Sequence, residues 1–422
     1  MECSDIANQS LHDQWRQLIR DPLSKLDEKA CPSPYIFVVD ALDECDQEND
    51  IRIILNVLAE VRSLTTVRPR FLITSRPEVP IRYGFYQIPE TEHHDFVLHN
   101  MSREILDNDI SIFLEHNLGI IRQECYLASD WPGEHDTNRL VQNANGLFIW
   151  AATACRFIRE GRSLAEDRLS MVLKDDSSAH YSDTDDSSTD GTAVDDSAVG
   201  PEKQLNEIYR TVLKNPVRNF TKKEKKKWYK LLRETVGAII LLFSPLSAFS
   251  LASLLDVGGK DIMRTLNDLH SILDIQENSV TPIRLHHPSF RDFLLDKKRC
   301  GDPNFLVDEK QAHQKLANDC MRLMSTSLKQ DICGLDTPGI LLADVDSSQV
   351  EQYLPPELQY ACLYWVQHLQ KSNAHIYDHG QVHQFLRAHL LFWLEALGWV
   401  RKISEGILAI ISFESIALVS FI

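Results

Sequence analysis

The sequence lacks the features that would place it at once in a metal-binding, disulfide-rich or secreted class. Its nine cysteines are scattered and form no Cys-x-x-Cys pair, so neither a zinc framework nor a disulfide scaffold is predicted, and a reducing, cytoplasmic location is favoured. The amino terminus is polar and acidic, unlike a secretory signal peptide. Basic residues are outnumbered by acidic ones, 44 to 61. The formal net charge is −17 at pH 7, which argues against general nucleic-acid binding, because that requires a basic surface.

Long apolar runs are lacking too. Residues 406–422 are largely apolar, but Glu414 and several serines interrupt them, and the run is shorter than the ~20 apolar residues that span a bilayer. We predict a core helix there, with a membrane anchor as the alternative. The length of 422 residues, with 43% hydrophobic and 25% charged residues, is ordinary for a globular protein of two or three domains.

One apolar run that is present ends in acidic residues. Residues 35–39 read Tyr-Ile-Phe-Val-Val, and Asp40, Asp43 and Glu44 follow closely. Such a run is typical of a strand buried on both faces of a parallel sheet, and ligands bind at the carboxyl ends of these strands. The acidic residues are therefore candidates for an active site. The alternative is a buried strand that ends in an ordinary acidic turn.

A second strand of the same kind follows. Residues 51–64 carry apolar residues at helical spacing, and residues 71–77 read Phe-Leu-Ile-Thr-Ser-Arg-Pro, so strand, helix and strand form a predicted βαβ unit. Residues 85–88 predict one further strand. Two roles are open for Arg76: it contacts a terminal phosphate, since guanidinium forks onto phosphate oxygens, or it pairs with a carboxylate such as Asp40.

Beyond this unit the pattern is mainly helical. Residues 96–170 and 301–422 show helical periodicity. Between residues 171 and 203 lies a Ser- and Asp-rich run with almost no large apolar residues, which is predicted to be a disordered acidic linker. A phosphorylated regulatory loop is the alternative there.

Residues 204–300 have the order of elements of a winged-helix domain. Three helical segments precede a strand at residues 280–287, which runs into His-His-Pro-Ser-Phe-Arg-Asp-Phe-Leu. The basic run at residues 222–227 opens a helix and is interpreted as a solvated face, with nucleic-acid contact as a minor alternative.

Three of these motifs resemble those of one family. Residues 35–45 resemble a Walker B motif, Thr-Ser-Arg-Pro resembles a sensor 1 element, and residues 287–294 resemble a His-x-Ser-Phe-x-Asp-Phe-Leu motif. Together they are similar to the NACHT class of STAND P-loop NTPases, particularly the NLR-like proteins of fungi. The resemblance implies a partial α/β nucleotide-binding domain over residues 1–95, followed by helical and winged-helix domains, in a chain that is mainly helical overall.

The resemblance also implies a role for each motif residue. Asp40 would orient Mg²⁺, Asp43 and Glu44 would polarise the attacking water, Arg76 would sense the γ-phosphate of ATP, and His287 would contact the β-phosphate of ADP. A structural role is the alternative for His287. The family is implied to be a signalling switch in innate immunity or self/non-self recognition that binds other proteins and forms homo-oligomers.

One motif expected of this family is missing. The sequence has no Gly-x-x-x-x-Gly-Lys-Ser/Thr phosphate cradle, and its only Gly-Lys pair, Gly259-Lys260, is followed by Asp261. Because the cradle supplies most phosphate contacts, we predict a truncated member with impaired nucleotide binding, which acts as a regulatory or protein-interaction module without ATP hydrolysis. The alternative is an incomplete gene model of an active ATP-hydrolysing receptor.

Overall fold

The computed structural model describes residues 6, 10–26, 35–45, 48–60, 69–89, 91–174, 201–276, 280–335, 345, 347–374 and 376–420. Most of the predicted acidic linker lies outside these residues. The chain divides into two compact units, Met1–Asn100 and Met101–Ile422, which are described one at a time. As predicted, the protein is mainly helical with a small parallel sheet. The finer domain boundaries, including the winged-helix assignment, stay predictions.

The first unit contains a two-stranded parallel sheet and short helices. Its strands are β1 (Ile36–Val39) and β2 (Arg70–Ile73), with Ile36 opposite Arg70 and Val39 opposite Ile73. Its helical segments are α1 (Leu11–Trp15), a π-helical turn (Arg16–Arg20), α2 (Asp21–Ser24), a 3-10 turn (Leu42–Glu44), α3 (Glu48–Glu60), α4 (Val79–Tyr86) and a 3-10 turn (Leu98–Asn100). Strand, helix and strand therefore follow one another as predicted.

The sheet is covered on one face, so the predicted burial on both faces is wrong. A small core lies against the covered face and consists of Leu42, Ile51, Leu55 and Ile81. On the opposite face Ile36, Val38 and Leu72 are 67%, 64% and 57% exposed. Side chains alternate between the two faces of a strand, and the core residues of α3 and α4 pack against Val39 and Ile73 of the covered face.

The predicted strand at residues 85–88 is also wrong, because α4 runs to Tyr86. Pro80 lies in the first turn of this helix, where the fixed φ of proline suits helix formation. Ile81 and Phe85 are four residues apart and share one helix face, which packs on the small core. Tertiary packing thus overrides the strand preference of the aromatic residues.

In its described residues the second unit is helical apart from one short antiparallel hairpin. Its first helices are α5 (Arg103–Glu124), α6 (Glu134–Ala144), α7 (Phe148–Glu160), α8 (Ala165–Leu173) and α9 (Pro201–Lys214), with 3-10 turns at Arg162–Leu164 and Asn215–Val217. The middle part comprises α10 (Lys222–Leu241), α11 (Ala248–Leu255), α12 (Gly259–Leu266), strands β3 (Leu273–Asp274) and β4 (Arg284–Leu285), α13 (Ser289–Leu295) and α14 (Lys297–Cys300). The last helices are α15 (Glu309–Ser327), α16 (Ser347–Tyr353), α17 (Pro356–Ser372), α18 (Gln381–Trp399) and α19 (Ile403–Ser420).

A continuous apolar core runs through this second unit. The aromatic residues of α17 and α18 belong to it, since the Trp365 ring meets the rings of Phe385 and Trp393 edge-on at 5.3 and 5.6 Å. Trp365, Phe385 and Trp393 are all buried, so these rings form part of the core. Among the described residues, no helix is both long enough and apolar enough to cross a membrane.

Candidate functional site

The loops that follow β1 and β2 are tied together by backbone hydrogen bonds. The Thr74 N–H donates to the Val39 carbonyl at 2.9 Å, and the Leu42 N–H donates to the Thr74 carbonyl at 3.0 Å. Between them Ala41 adopts a left-handed conformation with φ of 52°, which is uncommon for a residue other than glycine. The strand ends thus hold the acidic residues after β1 next to the Thr-Ser-Arg sequence after β2.

Asp40 is oriented by the second loop. The Thr74 hydroxyl accepts a hydrogen bond from the Ala41 N–H at 2.8 Å and donates one to Asp40 Oδ1. The Asp40 residue itself is exposed. A single exposed carboxylate fits one ligand position of Mg²⁺, which combines one or two carboxylates with water and phosphate oxygens. Among the described residues no group of three His, Cys, Asp or Glu side chains could hold a metal ion.

Asp43 bridges the two loops. Its Oδ1 accepts hydrogen bonds from the Arg76 N–H at 2.9 Å and from the Ser75 hydroxyl at 3.2 Å. Its Oδ2 lies 3.6 Å from Arg76 Nε, and the Asp43 side chain is only 9% exposed against 42% for Arg76. Arg76 therefore pairs with a carboxylate, which is one of the two roles that the sequence left open. Its partner is Asp43 and not Asp40, the example given there. Glu44 is exposed.

His287 belongs to the second unit, where its ring is held by Ser289. The Ser289 N–H donates to His287 Nδ1 at 3.1 Å, and the Ser289 hydroxyl lies 2.7 Å from the same nitrogen. Because Nδ1 accepts, the neutral ring carries its proton on Nε2. The Ser289 hydroxyl also lies 2.8 Å from the hydroxyl of Tyr209, which is buried. The sequence motif indicated the serine, but nothing in the sequence indicated Tyr209, which is 80 residues away.

The neighbouring His286 has a different environment. Its Nε2 lies 2.9 Å from the His270 carbonyl. Burial lowers the pKa of His286, and the positive charge of Arg156 lowers it further. His286 thus faces the His270 carbonyl, whereas His287 is held by Ser289, and the assignment of His287 as the histidine of the motif stays a prediction. The predicted roles of Asp40, Asp43, Glu44, Arg76 and His287 toward a nucleotide stay predictions.

We expect Tyr209→Phe to destabilise the second unit by about 1 kcal/mol, because the Ser289 hydroxyl loses a buried hydrogen-bond partner. Chemical denaturation measures the change, and the ¹⁵N shifts of the His287 ring report whether Nδ1 remains the acceptor. Tyr229→Phe is the matched control, since Tyr229 is half-buried and contacts Trp228 and Phe305 through its ring. An equal loss of stability in both variants would contradict the role given to Tyr209.

The chain is similar to one family model and to one curated protein. Residues 1–76 match the family model described as nephrocystin 3, N-terminal, a span that includes Asp40, Asp43, Glu44 and Arg76. The vegetative incompatibility protein HET-E-1 of Podospora anserina is 23% identical over 411 residues, which are 90% of this chain and 26% of that protein. The chain therefore spans about a quarter of the length of this curated relative.

These matches bear on the family predicted from the motifs. The family-model match covers the two loops described above, and the match to HET-E-1 continues through both units. The truncation stays a prediction. Taken with the motifs, the comparisons support the resemblance of this chain to NACHT-like proteins of fungi.

Proposed function

We propose that this chain is a NACHT-like signalling module that acts through protein contacts and does not hydrolyse ATP on its own. The observation that carries the proposal is the pairing of Arg76 with Asp43. The residue expected to sense a phosphate and a residue expected to activate water are engaged with each other. The sequence of 422 residues also contains no Gly-x-x-x-x-Gly-Lys-Ser/Thr cradle.

The residues that are present fit one side of a nucleotide site. Asp40 would supply a carboxylate oxygen to Mg²⁺, and Arg76 would supply a guanidinium to a phosphate after exchanging its contact with Asp43. A bound nucleotide would contribute phosphate oxygens to the metal. The cradle normally provides several further charge-assisted hydrogen bonds, each about 1.5–3 kcal/mol. Without them we expect nucleotide affinity to fall by several orders of magnitude.

The proposed partners are other proteins, including further copies of this chain, and the proposed location is the cytoplasm. The name of HET-E-1 refers to vegetative incompatibility. By this similarity we propose that the present chain takes part in self/non-self recognition. The scattered cysteines and the negative net charge of −17 support a reducing compartment and partners other than nucleic acid.

Isothermal titration of the full chain with ATP, and separately with ADP, each with Mg²⁺, tests the proposal. We expect no saturable binding at micromolar nucleotide, because most phosphate contacts are missing. Arg76→Ala should show the same absence of nucleotide binding as the unaltered chain. The matched control is Arg52→Ala, on an exposed arginine of α3. Micromolar binding that Arg76→Ala abolishes and Arg52→Ala retains would contradict the proposal and would support the predicted phosphate-sensing role instead.

A further inference from the structure

A stripe of positive charge lies along one face of α10. Five cationic side chains line a cleft of about 310 Å³, and we call them the lysine stripe: Lys223, Lys226, Lys227, Lys230 and Arg233. Lys223, Lys227 and Lys230 are three or four residues apart, as are Lys226, Lys230 and Arg233, which places the five on one broad helix face. All five are exposed. From first to last they extend over about 15 Å at the rise of an α-helix.

The lysine stripe is electrostatically unfavourable when nothing is bound to it. Like charges three or four residues apart on a helix repel one another, and cations near the amino terminus of a helix oppose its dipole. An anion placed along the stripe would remove both penalties.

Neighbouring carboxylates do little to relieve this repulsion. Glu234 Oε1 lies 3.9 Å from Lys230 Nζ, which is a long contact for an exposed pair. Glu224 is engaged elsewhere, because its Oε2 accepts from the Thr221 N–H at 2.8 Å and from the Thr221 hydroxyl at 2.7 Å in the capping box of α10. Among the described residues the stripe therefore keeps a local excess of positive charge in a chain whose net charge is −17.

We propose that the lysine stripe binds an anion that carries several phosphate groups. Four of its five members are lysines, whose compact ammonium groups act as point charges on phosphate. A phosphate group carries about −1.5 to −2 charges against one on a carboxylate, so it neutralises more of the stripe than an acidic protein segment of the same length. Nucleic acid is disfavoured by the net charge of −17, because its binding normally calls for a basic domain.

The test uses the full chain and two sources of phosphate at physiological salt. One is inositol hexakisphosphate in solution, and the other is phosphatidylcholine vesicles that contain phosphatidylinositol 4,5-bisphosphate. We expect saturable binding to at least one source. Binding to the soluble probe alone assigns a free polyphosphate, and binding that requires vesicles assigns a lipid headgroup. Absence of saturable binding to both would overturn the proposal.

Matched triple variants locate the binding. The combination Lys226→Gln, Lys227→Gln and Lys230→Gln should weaken affinity about tenfold or more, since charge-assisted contacts to phosphate are lost. The control combination Lys297→Gln, Lys298→Gln and Lys310→Gln removes the same charge from exposed lysines of α14 and α15 and should retain affinity. Equal losses in both would show a response to net charge alone and overturn the proposal.

Two further measurements keep the result interpretable. Replacing the same three stripe lysines by arginine should retain most of the affinity, which separates loss of charge from loss of folding, and a loss as large as with glutamine would overturn the assignment. A synthetic peptide of residues 175–200, rich in aspartate, and a short DNA duplex serve as competitors. The proposal would also be overturned if the chain bound the peptide or the DNA duplex more tightly than it binds either phosphate probe.

Discussion

Replacement of Asp43 by alanine should loosen the first unit by about 2–3 kcal/mol, because a nearly buried carboxylate that accepts two hydrogen bonds is removed. The bonds from Ser75 and from the Arg76 backbone join the loop after β1 to the loop after β2. The ion pair with the Arg76 side chain adds less, since that side chain is 42% exposed and water screens the charges. Local rather than global unfolding is expected, because the bonds lie within one small unit.

Hydrogen exchange followed by mass spectrometry measures this loosening directly. Peptides that cover residues 35–45 and 69–89 should exchange faster in Asp43→Ala, while peptides from the second unit should not change. Glu44→Ala is the control on an exposed acidic neighbour, and Asp43→Asn, which keeps an acceptor oxygen, should be intermediate. If Asp43→Ala and Glu44→Ala exchanged alike, the bridging role of Asp43 would be disproved.

The second large effect concerns a buried pair of histidines between α15 and α17. His313 Nδ1 lies 2.8 Å from His368 Nδ1, and His368 Nε2 lies 2.7 Å from the Tyr360 hydroxyl. All three residues are buried. The Tyr360 hydroxyl also accepts the Phe243 N–H at 3.2 Å, so the network ties the end of α10 to both helices.

Burial lowers the pKa of His368 from 6.5 to about 3, with a smaller contribution from the nearby His313. The pKa of His313 is lowered as well, again mainly by burial. A base with a lower pKa in the folded state is protonated more readily after unfolding. Its contribution to stability is therefore complete above pH 6.5 and is lost as the pH falls through 6.5 toward about 3.

We expect acidification from pH 7 to pH 5 to reduce the free energy of unfolding by about 2 kcal/mol through His368, since pH 5 lies about 1.5 units below its unfolded pKa. Urea unfolding at both pH values, followed by tryptophan fluorescence, measures the loss. Trp15 is the only tryptophan of the first unit, so the second unit dominates the signal.

A variant comparison isolates this contribution from that of other groups. Burial raises the pKa of Glu160 to about 7, despite the opposing effect of Arg168, and this acid becomes less stabilising as the pH rises from 4.5 toward 7. The Glu160 contribution cancels when His368→Gln is compared with the unaltered chain. His368→Gln should lose the His368 pH dependence, whereas His116→Gln, on an exposed histidine of α5, should retain it. An unchanged pH dependence in His368→Gln would refute the assignment.

The first unit shows what the sequence can and cannot predict. The two apolar runs predicted parallel strands with polar loops at neighbouring ends, and the strands form as predicted. The sequence left open whether Arg76 contacts a phosphate or pairs with a carboxylate, and it gave Asp40 as one example of such a carboxylate. The left-handed Ala41 and the 3-10 turn after it decide the geometry, and neither has a signature in the sequence. The exposure of one sheet face could not be predicted either, because the burial of a strand depends on which face of the sheet the helices cover.

In the second unit, the contacts that the sequence could not predict join residues far apart along the chain. Helical periodicity predicted most of its helices, whereas for His287 the sequence left a phosphate contact and a structural role open. The contact of Ser289 with Tyr209 and that of His313 with His368 join residues 80 and 55 positions apart. A single sequence contains no signal for such pairs, since each member has an ordinary helical context. Only the packing of the helices brings them together.

The nucleotide content of the purified chain shows whether these residues hold ATP or ADP. The protein is purified without added nucleotide and then denatured. The ATP and ADP that it releases are quantified by ion-exchange chromatography. We predict no nucleotide above the level of the buffer, because Arg76 is paired with Asp43 and the sequence has no phosphate cradle. Release of one ADP or ATP per chain would contradict this account and would show that these 422 residues form a nucleotide site by other means.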